Sequence, residues 1–276
     1  MNLYDETQML LNQYGLKAKK KLGQNFLINK DIIDEIVEKS GITKDDVVLE
    51  IGPGLGTLTK ELIKSTKRVI AVELDEDMVD ILQKRFNEDN LEIVNEDILK
   101  VDIFEYTKMY GPIKVVANLP YYITTPIVMK LLESGYDITS ITVMVQKEVG
   151  ERICSTSDDR ENSAITIGIS YYAKASIIIN VPKENFLPSP EVDSVVIKLD
   201  ILKEPPVSLI NKSKFFALVK AAFSQRRKTI NNSLSSGGYD KEKVKEVLAK
   251  LNLDPKLRAE DLSIQDFANI SNELEK

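Results

Sequence analysis

The sequence predicts an α/β domain on a mostly parallel sheet, closing in an antiparallel hairpin and followed by a small all-helical domain. Three observations carry this reading. Between residues 47 and 146, short apolar runs alternate with amphipathic stretches, the pattern of successive strand–helix–strand units. After residue 160, three apolar runs follow with little helical sequence between them, as an antiparallel end to the sheet requires. Beyond the stretch KEPPVS at 203–208, whose paired prolines suit an extended connector, every segment has helical spacing. The expected domains are residues 1–202 and 203–276.

The elements follow in order. A helix is expected from residue 29 or 30 to Ser40, with Ile32, Ile33, Ile36 and Val37 at helical spacing and Gly41 as a stop. VVLEI (47–51) is a short apolar strand and TLTKELIKS a helix. RVIAVEL (68–74) is a strand, and DEDMVDILQKRF a helix whose acidic start suits the helix dipole. LEIVNED (91–97) and IKVVANL (113–119) are strands, and TPIVMKLLES is a helix with Pro126 in its first turn. SITVMVQ (140–146) is the next strand, then AITIGISYY, ASIIINVP and VDSVVIKLD. KFFALVKAAFSQ, KTINNSLSS, KEKVKEVLAKL and SIQDFANISNEL are the C-terminal helices.

Composition limits the chemistry. With 43% hydrophobic and 29% charged residues, the chain has the balance of a soluble globular protein. It contains no apolar run of membrane-spanning length, and its N-terminus lacks a basic region followed by an apolar core, so a cytoplasmic protein is expected. Cys154 is the single cysteine and there is no histidine. A disulfide framework, a zinc site and any Ser-His or Cys-His mechanism are therefore excluded, and no metal is expected. The net charge of −6 hides an asymmetry: residues 201–276 hold 14 Lys/Arg against 10 Asp/Glu. Two basic clusters, KAKKK at 17–21 and RRK at 226–228, mark a candidate polyanion surface.

The glycine loop EIGPGLG (50–56) lies between the first strand and its helix. Its glycines permit a tight turn and close approach of a ligand to the backbone. Glu73 ends the second strand 21 residues after Gly52, the spacing of a ribose-hydroxyl acceptor. Asp97 ends the third strand, and Asn118 lies at the end of the fourth. Parallel α/β sheets bind ligands outside the carboxyl ends of their strands, so Gly52, Glu73, Asp97 and Asn118 should converge on one crevice. Each acid taken alone is more simply a helix cap or turn residue. Pro53 stiffens the loop, no further glycine admits a pyrophosphate, and Glu50 precedes it. S-adenosylmethionine fits this better than a dinucleotide.

The glycine loop, the strand-end acid and NLPY after the fourth strand resemble class I methyltransferases that modify an exocyclic amino group of adenine. That nitrogen is a poor nucleophile, because its lone pair is delocalised into the ring. Acceptors for the amino protons, such as the Asn118 side chain and the Leu119 carbonyl directed by Pro120, favour pyramidalisation. Tyr121 can stack on the base, which must leave its own stack to react. For Asn-Pro-Tyr alone, a proline turn with core tyrosines is the simpler account.

Five stretches in this order narrow the resemblance: QNFL (24–27), EIGPGLGTLT (50–59), NLPYYITTP (118–126), FLPSPEVDS (186–194) and AAFSQRRKT (221–229). Over essentially the whole chain they resemble the small-subunit (16S) ribosomal RNA adenine N6,N6-dimethyltransferases. The resemblance implies a Rossmann-like class I methyltransferase fold, with a seven-stranded sheet and an all-α C-terminal RNA-recognition domain. It implies dimethylation of two adjacent adenines in the 3′-terminal hairpin loop of 16S rRNA, within the 30S subunit or its precursor, by a monomer. Asn25, Leu27, Gly52, Glu73, Asp97 and Asn118 are the implied cofactor residues. Asn118, Leu119, Pro120 and Tyr121 would hold the adenine, and Phe186 would close over its other face. Lys19, Lys20, Lys21, Arg226, Arg227 and Lys228 are the candidate RNA contacts. The alternatives are a large-subunit (23S) adenine methyltransferase of the macrolide-resistance type, a non-catalytic ribosome-assembly factor, and a protein-glutamine methyltransferase.

Overall fold

The computed structural model of the protein describes residues 2–156, 162–225 and 227–276. The chain divides into two compact units, residues 1–150 with 176–201 and residues 151–175 with 202–276. In chain order the elements begin α1 (Leu3–Gln13), β1 (Phe26–Leu27), α2 (Lys30–Lys39), β2 (Val47–Ile51), α3 (Thr59–Ser65), β3 (Arg68–Glu73) and α4 (Glu76–Arg85). They continue with β4 (Leu91–Asn95), α5 (Ile103–Tyr110), β5 (Ile113–Asn118), α6 (Thr124–Glu133), β6 (Ile138–Gln146), α7 (Lys147–Ile153) and α8 (Ala164–Ser170). The remainder are β7 (Ala173–Val181), β8 (Phe186–Leu187), β9 (Ser194–Ile201), α9 (Lys212–Ala222), α10 (Ile230–Ser236), α11 (Lys241–Lys250) and α12 (Ile264–Leu274). No helix among the described residues is long and apolar enough to cross a membrane.

The seven-stranded sheet has the order β4-β3-β2-β5-β6-β9-β7. β3, β2, β5 and β6 pair in parallel, β4 extends that run on β3, and β9 returns antiparallel to β6. β2, near the centre, is buried at every position, as expected of a strand covered on both faces. Side chains alternate between the faces, so Val48 and Glu50 share one, as do Val116 and Asn118 on β5. On that face Ile33 and Ile36 of α2 and Leu62 of α3 cluster with Val48, Val116, Met144 and Val196. Burial of a side chain such as Leu62 contributes roughly 1.5–3 kcal/mol. Glu50 and Thr142 lie level with Val116 on this face, and Asn118 level with Met144, so polar groups of the site are set among the apolar side chains of the core.

The second unit has its own core. Phe215, Leu218 and Val219 of α9 meet Leu234 of α10, Val244 and Leu248 of α11, and Phe267 and Ile270 of α12. Ile167 of α8 belongs to the same cluster.

Three expectations need correction. AITIGISYY is not a strand: residues 164–170 form α8. Ser163 caps it, with Thr166 completing a capping box, and the Ser-x-x-Thr signal outweighs the β-branched composition. Consequently residues 151–175 group with the helical unit, although the sequence placed all of 1–202 in one domain. Lastly, β4 stops at Asn95, so Asp97 stands in the following loop rather than at the strand end.

Candidate active site

At the end of β2 the chain must leave the sheet sharply to enter α3. Gly52 and Gly54 do this with φ of 69° and 56°, values that a side chain would strain. The Gly52 N–H donates to the Val72 carbonyl at 2.9 Å. The Gly54 N–H donates to Glu73 Oε2 at 3.0 Å, and Asp75 N–H to Glu73 Oε1 at 2.9 Å. Glu73 thus ties the glycine loop to the start of α4, and its oxygens keep further acceptor capacity. Burial pushes its pKa up, while the Asp75 and Gly54 N–H groups pull it back.

Glu50, just before the loop, is 1% exposed. Burial pushes its carboxyl up to about 8; the polar groups of Thr59 oppose the shift and the charge of Glu73 adds to it. Its Oε2 has no hydrogen-bond partner. A buried unpaired carboxyl oxygen is costly in a finished core and fits a place where a donor or cation arrives.

Beyond β4, Asn95 Nδ2 donates to the Glu73 carbonyl at 3.0 Å and to the Leu74 carbonyl at 3.4 Å. Asp97 Oδ1 accepts from the Leu99 N–H at 2.9 Å. Lys130, from α6, donates to the Ile98 and Val101 carbonyls at 2.9 and 3.2 Å, which fixes the loop bearing Asp97.

The NLPY turn is pinned at the end of β5. The Pro120 carbonyl accepts from the Ile123 N–H and from Thr124 Oγ1, both at 3.1 Å. Leu119 is buried and Tyr121 half-buried. The Tyr121 hydroxyl and Ser194 Oγ are 2.7 Å apart. Burial pushes the phenol pKa up, and the Ser194 contact opposes it.

Two remote stretches complete the wall. β1 pairs antiparallel with β8, placing Leu27 opposite Phe186 and Phe26 opposite Leu187. Asn118 Nδ2 donates to the Asn25 carbonyl at 3.5 Å. Gly23, with φ of 61°, lies so close to NLPY that an added Cβ would stand 3.0 Å from Pro120 Cβ. The segment is latched at its base: Gln24 Nε2 donates to Asp75 Oδ2 at 2.8 Å, and Lys19 Nζ to Asp75 and Asp77 at 2.6 Å each.

One cavity is lined by Asn25, Leu27, Gly52, Glu73, Asp97, Asn118, Leu119, Pro120, Tyr121 and Phe186 together. Every residue read from the sequence as cofactor- or adenine-binding therefore meets in one place. The basic residues differ among themselves. Lys19 is occupied by Asp75 and Asp77, which departs from its expected role as a free phosphate contact. Lys21 is exposed in the first unit, and Arg227 and Lys228 are exposed in the turn between α9 and α10 of the second. The Lys20 side chain and Arg226 lie outside the described residues.

Residues 15–276 match the family model for ribosomal RNA adenine dimethylase. The chain belongs to the ribosomal RNA adenine dimethylase family. It is 45% identical to the ribosomal RNA small subunit methyltransferase A of Clostridium botulinum, over 96% of this chain and 97% of that one. Among solved structures it resembles a dimethyladenosine transferase from Plasmodium falciparum, with a TM-score of 0.76, 27% identity, and coverage of 89% and 95% of the two chains. It also resembles the 23S rRNA methyltransferase ErmE, with a TM-score of 0.72, 26% identity, and coverage of 91% and 100%. The fold is thus the Rossmann-like fold of class I rRNA methyltransferases.

In this member of the adenine dimethylase family the sequence reading missed several residues that line or support the cavity. Thr142 is buried with an unpartnered hydroxyl and lines the same cavity, but a threonine inside an apolar strand carries no local signal. Gln24 and Lys130 act through contacts 51 and 32 residues away in the chain, which no local pattern reveals. Tyr122 also lines the cavity, yet remains exposed.

Proposed function

We propose that this protein uses S-adenosylmethionine to dimethylate N6 of two adjacent adenines in the 3′-terminal hairpin loop of 16S rRNA, acting on the 30S subunit or its precursor. The observation that carries this reading is the single cavity shared by the glycine loop, Glu73, Asp97 and NLPY. The residues present suit the cofactor. Glu73 retains lone pairs for ribose hydroxyls, Asp97 lies on a loop held by Lys130, and the unpaired Glu50 Oε2 offers a buried acceptor to a cationic ligand. When bound, S-adenosylmethionine supplies an electrophilic methyl group.

The chain's own residues position the base. The Asn118 side-chain oxygen and the Leu119 carbonyl accept the adenine amino protons, which localises the nitrogen lone pair toward the methyl donor. Pro120 sets the direction of that turn, and its own carbonyl is engaged by Ile123 and Thr124. Tyr121 and Phe186 provide two aromatic faces, one anchored by Ser194 and the other by the β1–β8 pair. Placement of this kind supplies several kcal/mol of barrier reduction without a strong base. Lys21, Arg227 and Lys228 contact phosphates.

The test is mass mapping of methylated adenines after incubating the protein and S-adenosylmethionine with 30S particles and, separately, with 23S rRNA. Methyl groups on two adjacent adenines near the 16S 3′ end are expected. Modification of 23S rRNA alone would favour the large-subunit reading, and no modification would leave a role in assembly without catalysis.

A further inference from the structure

Tyr121 and Tyr122 are neighbours with opposite environments. Tyr121 is half-buried, with its hydroxyl on Ser194. Tyr122 is 63% exposed, the most open aromatic ring among the described residues, and still borders the cavity. A single exposed aromatic is ordinary on a protein surface. Its surroundings set this one apart. Its Cε1 stands 3.6 Å from the position that a Cβ on Gly23 would occupy, so the ring stands against the segment that walls the cavity. That segment continues back into the basic run, and exposed Lys21 is only two residues before Gly23. An aromatic face at the rim of a base pocket, with an exposed lysine on the adjoining segment, has the chemistry of a single-strand platform: rings stack on bases while lysines neutralise phosphates.

We propose that Tyr122 is a second base platform, stacking on the nucleotide next to the adenine seated in the cavity. The inference rests on the reading that two adjacent adenines are the substrate. One target must be unstacked to reach the inner pocket, which leaves its neighbour without a stacking partner on that side. Tyr122 supplies that partner outside the cavity while Tyr121 holds the reacting base inside. The tandem tyrosine thereby matches a tandem substrate, and the two bases exchange places between rounds. Tyr122 positions the RNA and takes no part in the methyl transfer itself.

The test compares wild type, Tyr122→Ala and Tyr122→Phe. It reads single-turnover methylation of 30S particles, the distribution of methyl groups between the two adenines, and S-adenosylhomocysteine affinity by calorimetry. Tyr122→Ala is expected to raise the 30S concentration for half-maximal rate about tenfold, the effect of losing one base–aromatic stack. The saturating rate and the cofactor affinity should stay within about twofold, and Tyr122→Phe should restore wild-type behaviour. An unchanged concentration dependence in Tyr122→Ala overturns the proposal. An equal loss of cofactor affinity also overturns it, because the ring would then only support the Gly23 wall. If wild type itself modifies no adjacent pair of adenines, the substrate reading fails first and this inference falls with it.

Discussion

Tyr121 does two things at once: it lines the cavity and its hydroxyl is tied to Ser194. Replacing it with alanine removes the proposed stacking face, worth about 1–3 kcal/mol. Replacing it with phenylalanine keeps the face and loses one hydrogen bond, about 1 kcal/mol of orientation. Single-turnover methylation should therefore rank wild type, Tyr121→Phe and Tyr121→Ala in that order; equal inactivity of both variants would mean that stacking is not the role. Glu73 is tied to both the Gly54 and Asp75 N–H groups, so Glu73→Ala removes the proposed ribose acceptor and loosens the loop together. A loss of roughly 1.5–3 kcal/mol in cofactor affinity is expected by calorimetry. Glu50 makes a pH prediction. Its folded-state pKa of about 8 lies above the ordinary carboxyl value, so the fold favours the neutral acid. Its contribution to stability is complete below the unfolded-state pKa and is lost as pH rises through about 8. Glu73 is the charged neighbour that strengthens the effect. Without cofactor, the thermal midpoint of wild type should fall from pH 5 to pH 9 more steeply than that of Glu50→Gln. Parallel slopes would show that Glu50 does not titrate in this range.

The N-terminal segment shows how one element builds a site from distant parts. Residues 23–27 join the cavity because β1 pairs with β8, because Gly23 can approach Pro120, and because Lys19 and Gln24 hold the start of α4. Lys19→Ala should consequently weaken S-adenosylhomocysteine binding and leave the salt dependence of RNA binding unchanged. A flatter salt slope with unchanged cofactor affinity would return Lys19 to the phosphate contacts. The elements also mark what was readable in the sequence. The strand–loop–helix order, the glycine loop and NLPY were legible, because turn chemistry and apolar periodicity are local. The convergence of QNFL with FLPSP was legible only through family resemblance, because a two-residue strand pair has no periodicity of its own. α8 was misread because Ile165, Thr166, Ile167 and Ile169 have strand composition, while its helix comes from the Ser163–Thr166 cap and packing of Ile167 in the helical unit.

At the scale of the molecule, an acidic protein is proposed to bind a polyanion, so the cations must be concentrated locally. Replacing Lys21, Arg227 and Lys228 with alanine should flatten the dependence of log K for 30S particles on log salt, because fewer counterions are released. Filter binding over a salt series reads this directly, and an unchanged slope would reduce the clusters to solvated surface. The domain boundary was only partly legible, because the proline-rich connector at 203–208 is visible but the transfer of 151–175 to the helical unit is a packing outcome. The central claim is that the cavity places an adenine amino group by acceptors rather than by a general base. The measurement that tests it most directly is the single-turnover rate of Asn118→Ala on 30S particles, with cofactor and RNA both saturating. A fall on the order of 10²-fold or more is expected, the usual cost of removing one preorganised group at a reacting centre. A rate equal to wild type would contradict the claim.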